Sequence, residues 1–578
     1  MGTFMVILLI VMNRKSIILQ FIHFKEGLMK RKVISAILVA AMTASLVGCG
    51  SAASQQAATG AAESGTVNED GTYELSSINL VINGTLTATL DNGQAEFEKQ
   101  WEEAVSEKLG HDVDLQINQL DHSGYNDAVG RLFASQQYPD VILLSADQYS
   151  QYATTGLLWD MSSAFENADF NSRIKYPAVN EGLYRNGALY GFAPAYGNGC
   201  VTYVKQAWLD AVGITADSIK TYDDYYKMLV AFHEGDPDGN GTDGDTYGAV
   251  AAGYISGEAP YTNYLPEFWQ DAYPALLQDE SGVWYDGFQT DATKAAIQRI
   301  AQGVADGAID PTTLTNGTKD AREKWFSNNQ SSSSGVFTYW AGTWYQTLTD
   351  NMQKNEVDTD IVELEPIQEV GAYINREAPV FCIIDDMDGN DAREQAIFDA
   401  FFETMMDGGK VEMLWLYGAE GTHWSISADD GFKTNEGTAD EKVYGPYSEG
   451  EFHLLPTIND PNSVWKKNAV DPALVICPLE GEYADYADES SLAAEGNAFF
   501  TTHMKDAPTS PASEVYTNYA GDIQTAKETC IARVVTQGVD IDTAMQEYVD
   551  TVGEYVQESL DDLNSQASDA GEAAESAN

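Results

Sequence analysis

The stretch from residue 77 to residue 158 limits the fold of this chain most. A short apolar strand, Ile78 to Ile82, leads into a segment where Phe97, Trp101, Ala104, Val105 and Leu109 share one helical face, stopped by Gly110. An alternating run from Val113 to Ile117 follows, then a helical stretch around Asp127 to Gln136. Behind Pro139-Asp140 comes the wholly apolar Val141-Ile142-Leu143-Leu144. Parallel strands need a crossover of helix length, so strands and helices alternating at this spacing predict an α/β lobe with a largely parallel sheet. A second strand-like run begins at Cys200. Thr221 and Asp224 form a capping-box pattern that opens a helix running to about His233, and a strand is expected at Tyr247–Val250. Later helices are expected at Ala396–Met406, Ile523–Val535 and Ile541–Leu563.

Charge excludes one class of function. The chain carries 89 Asp and Glu against 31 Lys and Arg, a net charge of -58. Nucleic-acid binding needs a basic footprint, and none exists here. With 44% hydrophobic residues in 578, the chain can build packed cores in two or three domains. Beyond Cys49 there are four cysteines, Cys200, Cys382, Cys477 and Cys530, without a CxxC pair or zinc spacing. They read as buried thiols; three disulfide pairings are the alternative.

The N-terminal region reads as an address. Lys30-Arg31-Lys32, the apolar stretch Val33 to Val47 and then Leu46-Val47-Gly48-Cys49 resemble a bacterial lipoprotein signal. The resemblance implies that residues 29–48 are removed and that Cys49 becomes a diacylglyceryl (palmitate-type) anchor. Residues 1–28 are read as an extension upstream of a true start at Met29. Residues 49–75, rich in Ser, Ala, Gly and Gln, read as a flexible linker, and 565–578 as a disordered tail.

Several segments, in order, resemble the large carbohydrate-type extracellular solute-binding lipoproteins (family 1-like) of bacterial ABC importers. They are Tyr138-Pro139-Asp140-Val141, Gly156-Leu157-Leu158-Trp159-Asp160, Asn186 through Pro194, and Trp208-Leu209-Asp210 with Thr221-Tyr222-Asp223-Asp224. The resemblance implies an α/β, two-lobed periplasmic-binding-protein-like fold (type II) with crossing hinge strands and a ligand cleft. Lobe 1 would comprise 76–196 and 383–500, and lobe 2 would comprise 197–382 and 501–564. The first crossover is expected near Tyr196–Val201 and the return near Phe381–Ile384. The function implied is capture of a carbohydrate, an oligosaccharide, by lobe closure and its delivery to ABC permease subunits. The protein would sit on the extracytoplasmic face of the cell membrane, held only through its lipid. An oligopeptide or other small solute is the alternative ligand, and a surface glycoside hydrolase the alternative class. No HExxH, GxSxG, Walker loop or CxxC supports catalysis.

Sugar rings present apolar C–H faces edged by hydroxyls, so aromatic residues in glycine-flanked loops are the ligand candidates. These are Trp340 and Trp344 in 338–345, His423 and Trp424 in 420–424, and Trp269 in 264–271, with Tyr196 at the crossover and Tyr125 after the second strand. In the family resembled, segments equivalent to Tyr196, Trp340 and Trp424 lie near the cleft. The alternative for each is packing under its own loop.

One further motif has a chemistry of its own. Asp236, Asp238, Asn240 and Thr242, with Gly241 at the sixth position, form the front half of an EF-hand-type calcium loop. Tyr247 replaces the bidentate Glu at position 12, so Asp245 would have to close the shell. A strand rather than a second helix is expected next, which would make calcium structural; a polar turn is the alternative. The GxGxxG within 239–244 lies between no strand and helix and carries an aspartate, so it does not read as a dinucleotide site.

Overall fold

A computed structural model of the chain describes residues 65–577, apart from 69–70, 84–92, 122–123, 154, 253–271, 328–332, 358–359, 370, 377, 429–432, 435–443, 446, 456–469, 471, 473, 487–491, 509–510 and 512. Two hydrophobic cores organise it.

The first core is built on the alternation read above. Ser77–Asn83 lies parallel to Asp114–Leu120 on one side and to Val141–Leu144 on the other. Val380–Ile383 completes the sheet antiparallel to Val141–Leu144. The helix Gln94–Leu109 covers it through Phe97, Trp101 and Val105, and ends at Gly110 with a left-handed φ of 80°. Such an end favours glycine because it has no Cβ to clash. Trp415 meets Phe97 edge-on at 5.1 Å, so a helix far along the chain, Lys410–Tyr417, closes the same core.

The second core surrounds a mixed sheet ordered Ile361–Glu363, Cys200–Lys205, Ser334–Trp340, Tyr247–Val250. Ser334–Trp340 runs parallel to Tyr247–Val250 and antiparallel to Cys200–Lys205. The Thr221 and Asp224 capping box forms and starts the helix Tyr222–Glu234. The long helices Glu514–Gln537 and Ile541–Ala577 pack on each other against this core, with Tyr519 and Tyr555 stacked at 4.3 Å.

Five expectations change in detail. The linker read at 49–75 is ordered from Gly65, where Gly65–Val67 pairs antiparallel with Tyr73–Leu75 and Leu75 enters the first core. The return from the second core to the first falls between Ile374 and Ala378, because Ile374 belongs to one core and Ala378 to the other. Phe381–Ile384 is instead first-lobe interior, paired with Val141–Leu144 up to Ile383. The helix Leu492–His503 goes with the second lobe, since Phe500 lies in its core. The span 396–406 is broken by a π-helical turn at Phe398–Phe402. Finally, the last helix continues past Ser565 to Ala577. A helix already nucleated by packing extends at little cost through Ala-, Gln- and Glu-rich sequence. All four later cysteines are buried and free.

Candidate functional site

Both sheets point the carboxyl ends of their parallel strands at the crossing segments. In the first sheet, Asn83, Leu120 and Leu144 end on one edge, and Val380, opposite Leu144, enters from that edge. In the second, Trp340 pairs with Cys200, the first residue after the outward crossing. Two segments run antiparallel between the lobes. Phe192 N–H donates to Phe381 O at 2.8 Å, and Arg376 N–H to Asn198 O at 3.3 Å. Ligands of α/β sheets sit beyond the carboxyl ends of the strands, so the candidate site is this crossover.

The second-lobe side is built by a strand, a glycine and a helix. Ser334–Trp340 is buried along its length except at Trp340. Gly342 then adopts φ 62°, ψ -122°, a conformation open to glycine, and the helix Thr343–Lys354 begins. Trp340 and Trp344 consequently stand either side of the turn, both partly exposed. Tyr203 donates its hydroxyl to Trp340 O at 2.8 Å, and Asn198 Nδ2 donates to Ala341 O at 3.1 Å, holding the turn against the crossing. The Arg376 guanidinium lies 5.3 Å from the Trp340 ring and that of Arg322 lies 5.2 Å from Trp344, with Trp344 edge-on to Tyr339 at 4.8 Å. Tyr196, in the crossing itself, is 4% exposed and packs on Tyr176 at 4.3 Å; burial pushes its hydroxyl up.

The other candidates are interior. Tyr125 is buried and donates its hydroxyl to Leu143 O. His423 has no exposed surface, and its Nδ1 accepts from Ala419 N–H at 2.8 Å, which puts the proton of the neutral ring on Nε2. Its ring lies so close to Gly93 and Gly418 that a Cβ on either would stand within 2.5 Å of it. Trp424 donates Nε1–H to Gly418 O at 2.8 Å and packs on Phe452 and Tyr486. This loop does reach the carboxyl edge of the first sheet, since Gly93 precedes its first helix, but these two side chains face inward. Trp269 and Cys49 lie outside the described residues. Arg322, Arg376 and Asn198 were not singled out from sequence, where no local pattern distinguishes them.

The acidic loop 236–245 links the helix Tyr222–Glu234 to the strand Tyr247–Val250. Gly239, Gly241 and Gly244 all have positive φ. Asp236 Oδ2 accepts from Gly241 N–H at 2.8 Å, while its Oδ1 is buried with no partner among the described residues. Asn240 Nδ2 donates to Asp238 at 3.1 Å and Asp245 at 3.0 Å, bridging two carboxylates. Thr242 contributes its backbone N–H, which donates to Asn240 Oδ1 at 2.8 Å. Burial, with repulsion from Asp245 and Asp236, pushes the Asp238 carboxyl up. The donor set is all oxygen once the Asn240 amide turns over, and an orphaned carboxylate oxygen is already buried there. These residues fit a hard cation.

Comparisons with known proteins follow the same lines. A family model described as bacterial extracellular solute-binding protein matches residues 84–374, just over half of the chain. The chain is 31% identical over 147 residues to lipoprotein LipO of Bacillus subtilis; that match takes in 24% of this chain and 27% of the relative, about a quarter of its length. Among solved structures it is similar to an N-glycan transport solute binding protein from Streptococcus pneumoniae, at 15% identity and TM-score 0.57, over 86% of this chain and 99% of that one. It is also similar to an HMO binding ABC-transporter associated solute binding protein from Bifidobacterium longum infantis, at 14% and 0.53, over 85% and 98%. A third is an ABC transporter solute binding protein from Thermotoga lettingae bound with alpha-D-tagatose, at 14% and 0.52, over 83% and 100%. At these identities the structures speak to the two-lobed fold.

Proposed function

Since this chain belongs to the bacterial extracellular solute-binding protein family, we propose that it captures a carbohydrate, an oligosaccharide, and delivers it to the permease of an ABC importer. The observation that carries the choice of ligand is the pair Trp340 and Trp344. These are two partly exposed rings four residues apart, on a glycine turn at the carboxyl edge of a sheet and beside the crossing segments. Flat apolar rings suit the C–H faces of sugars, and Asn198 and Arg376 supply polar neighbours for hydroxyls. The structural neighbours, an N-glycan transport protein, an HMO binding protein and a protein bound with alpha-D-tagatose, support the same ligand class. Closure follows from the two crossing segments. A solute touching both lobes stabilises the shut state by its extra contacts there, and the shut state is what a permease distinguishes.

Thermal melting of the purified protein against neutral and acidic oligosaccharides and peptides tests this. A saccharide is expected to raise Tm while staying chemically intact, and Trp340→Ala is expected to weaken its binding about tenfold or more. Stabilisation by peptides alone, or release of reducing ends, would replace the reading.

Two attachments complete the proposal. Cys49 carries the lipid anchor, supported by the residues before it and by the lipoprotein relative. No helix among the described residues is long and apolar enough to cross a membrane. Asp236, Asp238, Asn240, Thr242 and Asp245 hold a structural calcium ion, which would neutralise carboxylates that now repel one another. Native mass spectrometry of membrane-extracted protein is expected to show a diacylglyceryl adduct on Cys49 and one calcium, and chelation is expected to lower Tm. An unmodified Cys49 refutes the anchor; no bound metal and an unchanged Tm refute the ion.

A further inference from the structure

Six aromatic and cationic groups line the face of the second sheet in a row. Phe337 and Tyr339, two apart on one strand, stack at 4.9 Å; Trp325 stacks on Phe337 at 5.9 Å, and Trp344 meets Tyr339 edge-on. A cation closes each end. At the inner end the wholly buried Lys205 lies 5.3 Å from Trp325 and donates to Ser327 O at 2.8 Å. At the crossover end Arg322 lies over Trp344 at 5.2 Å and Tyr339 at 5.9 Å.

Arg322 differs from its neighbours in what it lacks. It is half-buried, yet among the described residues no oxygen accepts from its guanidinium and no carboxylate pairs with it. Lys324, two residues on, is paired with Asp310. In a chain with 89 acids and 31 basic residues, an arginine without an acid partner runs against composition. The two ring contacts use no hydrogen-bond acceptor, so among the described residues the guanidinium N–H groups keep their donor capacity, a fork that matches a carboxylate or sulfate bidentately.

We infer that the solute is an anionic saccharide whose carboxylate or sulfate is received by the Arg322 fork while its ring lies on Trp344. This rests on the carbohydrate reading and narrows it. The long-range field opposes such a ligand: at -58 the protein repels anions. Affinity must therefore come from short-range contacts, and added salt should strengthen capture by screening that repulsion more than it weakens the stacked pair.

Calorimetry on the purified protein with an oligogalacturonide, its carboxyl-reduced neutral counterpart and a sulfated chondroitin disaccharide tests this. One acidic glycan is expected to bind at least about tenfold tighter than the neutral one. Arg322→Gln should abolish that preference, bringing the acidic glycan down to the affinity of the neutral one, with only a small fall in unliganded Tm, because two ring contacts but no hydrogen bond are lost. Arg322→Lys should restore part of it, as charge without the fork. The two acidic probes separate carboxylate from sulfate. Equal or tighter binding of the neutral glycan ends the inference and leaves the carbohydrate reading standing, as does an acidic preference that survives in Arg322→Gln. Failure of every saccharide ends both.

Discussion

Arg393→Ala is expected to destabilise the first lobe by about 3–5 kcal/mol, read as a fall in urea midpoint at constant m. Arg393 joins two buried acids, Asp140 at 3% exposure and Glu394 at 1%. It also donates to Ile384 O at 3.2 Å, at the end of the strand that returns from the crossover. Asp140 in turn accepts from Asn79 N–H at 2.8 Å and Glu394 from Asp386 N–H at 3.2 Å. One guanidinium therefore ties together the central strand, the loop before Val141, the return strand and the helix Ala392–Ile397. Removing it leaves two carboxylates in the interior, with Asp385 and Asp386 close enough to Glu394 for their oxygens to lie within 4.8 Å. The cost comes from stranding charges rather than from losing an attraction. Adding Asp140→Asn and Glu394→Gln to the variant should accordingly recover much of the loss. A loss under about 1 kcal/mol in the single variant would mean that the pair is effectively solvated.

That network also shows how far sequence could be read here. The α/β character of the first lobe was legible because Val141–Leu144 is apolar throughout and Phe97, Trp101 and Val105 repeat on one helical face. Both signals are local. The capping box at Thr221 and the turns of the acidic loop were legible for the same reason. The return crossing was not. Phe381–Ile384 is as apolar as a linking strand needs to be, and only its pairing with Val141–Leu144 shows that it lies inside the lobe. The aromatic candidates divide on similarly distant partners. Trp340 and Trp424 both sit near glycines, but Trp424 meets Phe452, almost thirty residues on, and is drawn into the core. Arg322 lies among Asp320, Glu323 and Lys324, a run that reads as an ordinary solvated helix face. Only the fold brings it to Trp344.

Glu412→Gln is expected to raise stability at pH 7 by about 2–3 kcal/mol while changing it little at pH 5. Glu412 is wholly buried in the first turn of the helix Lys410–Tyr417. Its Oε2 accepts from Gly408 N–H at 2.7 Å, but Oε1 has no partner among the described residues. Burial pushes the carboxyl from 4.5 to about 8; the Gly408 N–H and Arg173 oppose this, and Asp407 and Glu480 add to it. The folded chain therefore keeps this proton up to about pH 8, while the unfolded chain releases it near 4.5. Its contribution is fully present below the lower value and is lost as pH rises through the upper one. Glu363, pushed up to about 8 by burial and by Glu495, acts in the same direction. Lys205 acts oppositely but in a different window. Burial between Trp208 and Trp325 lowers it to about 7, Asp238 opposing, so it makes stability rise with pH only between about 7 and 10.5. The interval from pH 5 to 7 isolates the acids. Repulsion among surface carboxylates also grows across it, but equally in the parent and in Glu412→Gln, so the difference between their urea midpoints reads Glu412 alone. Parallel curves for the two proteins would show that the group ionises normally, its buried Oε1 reached by water.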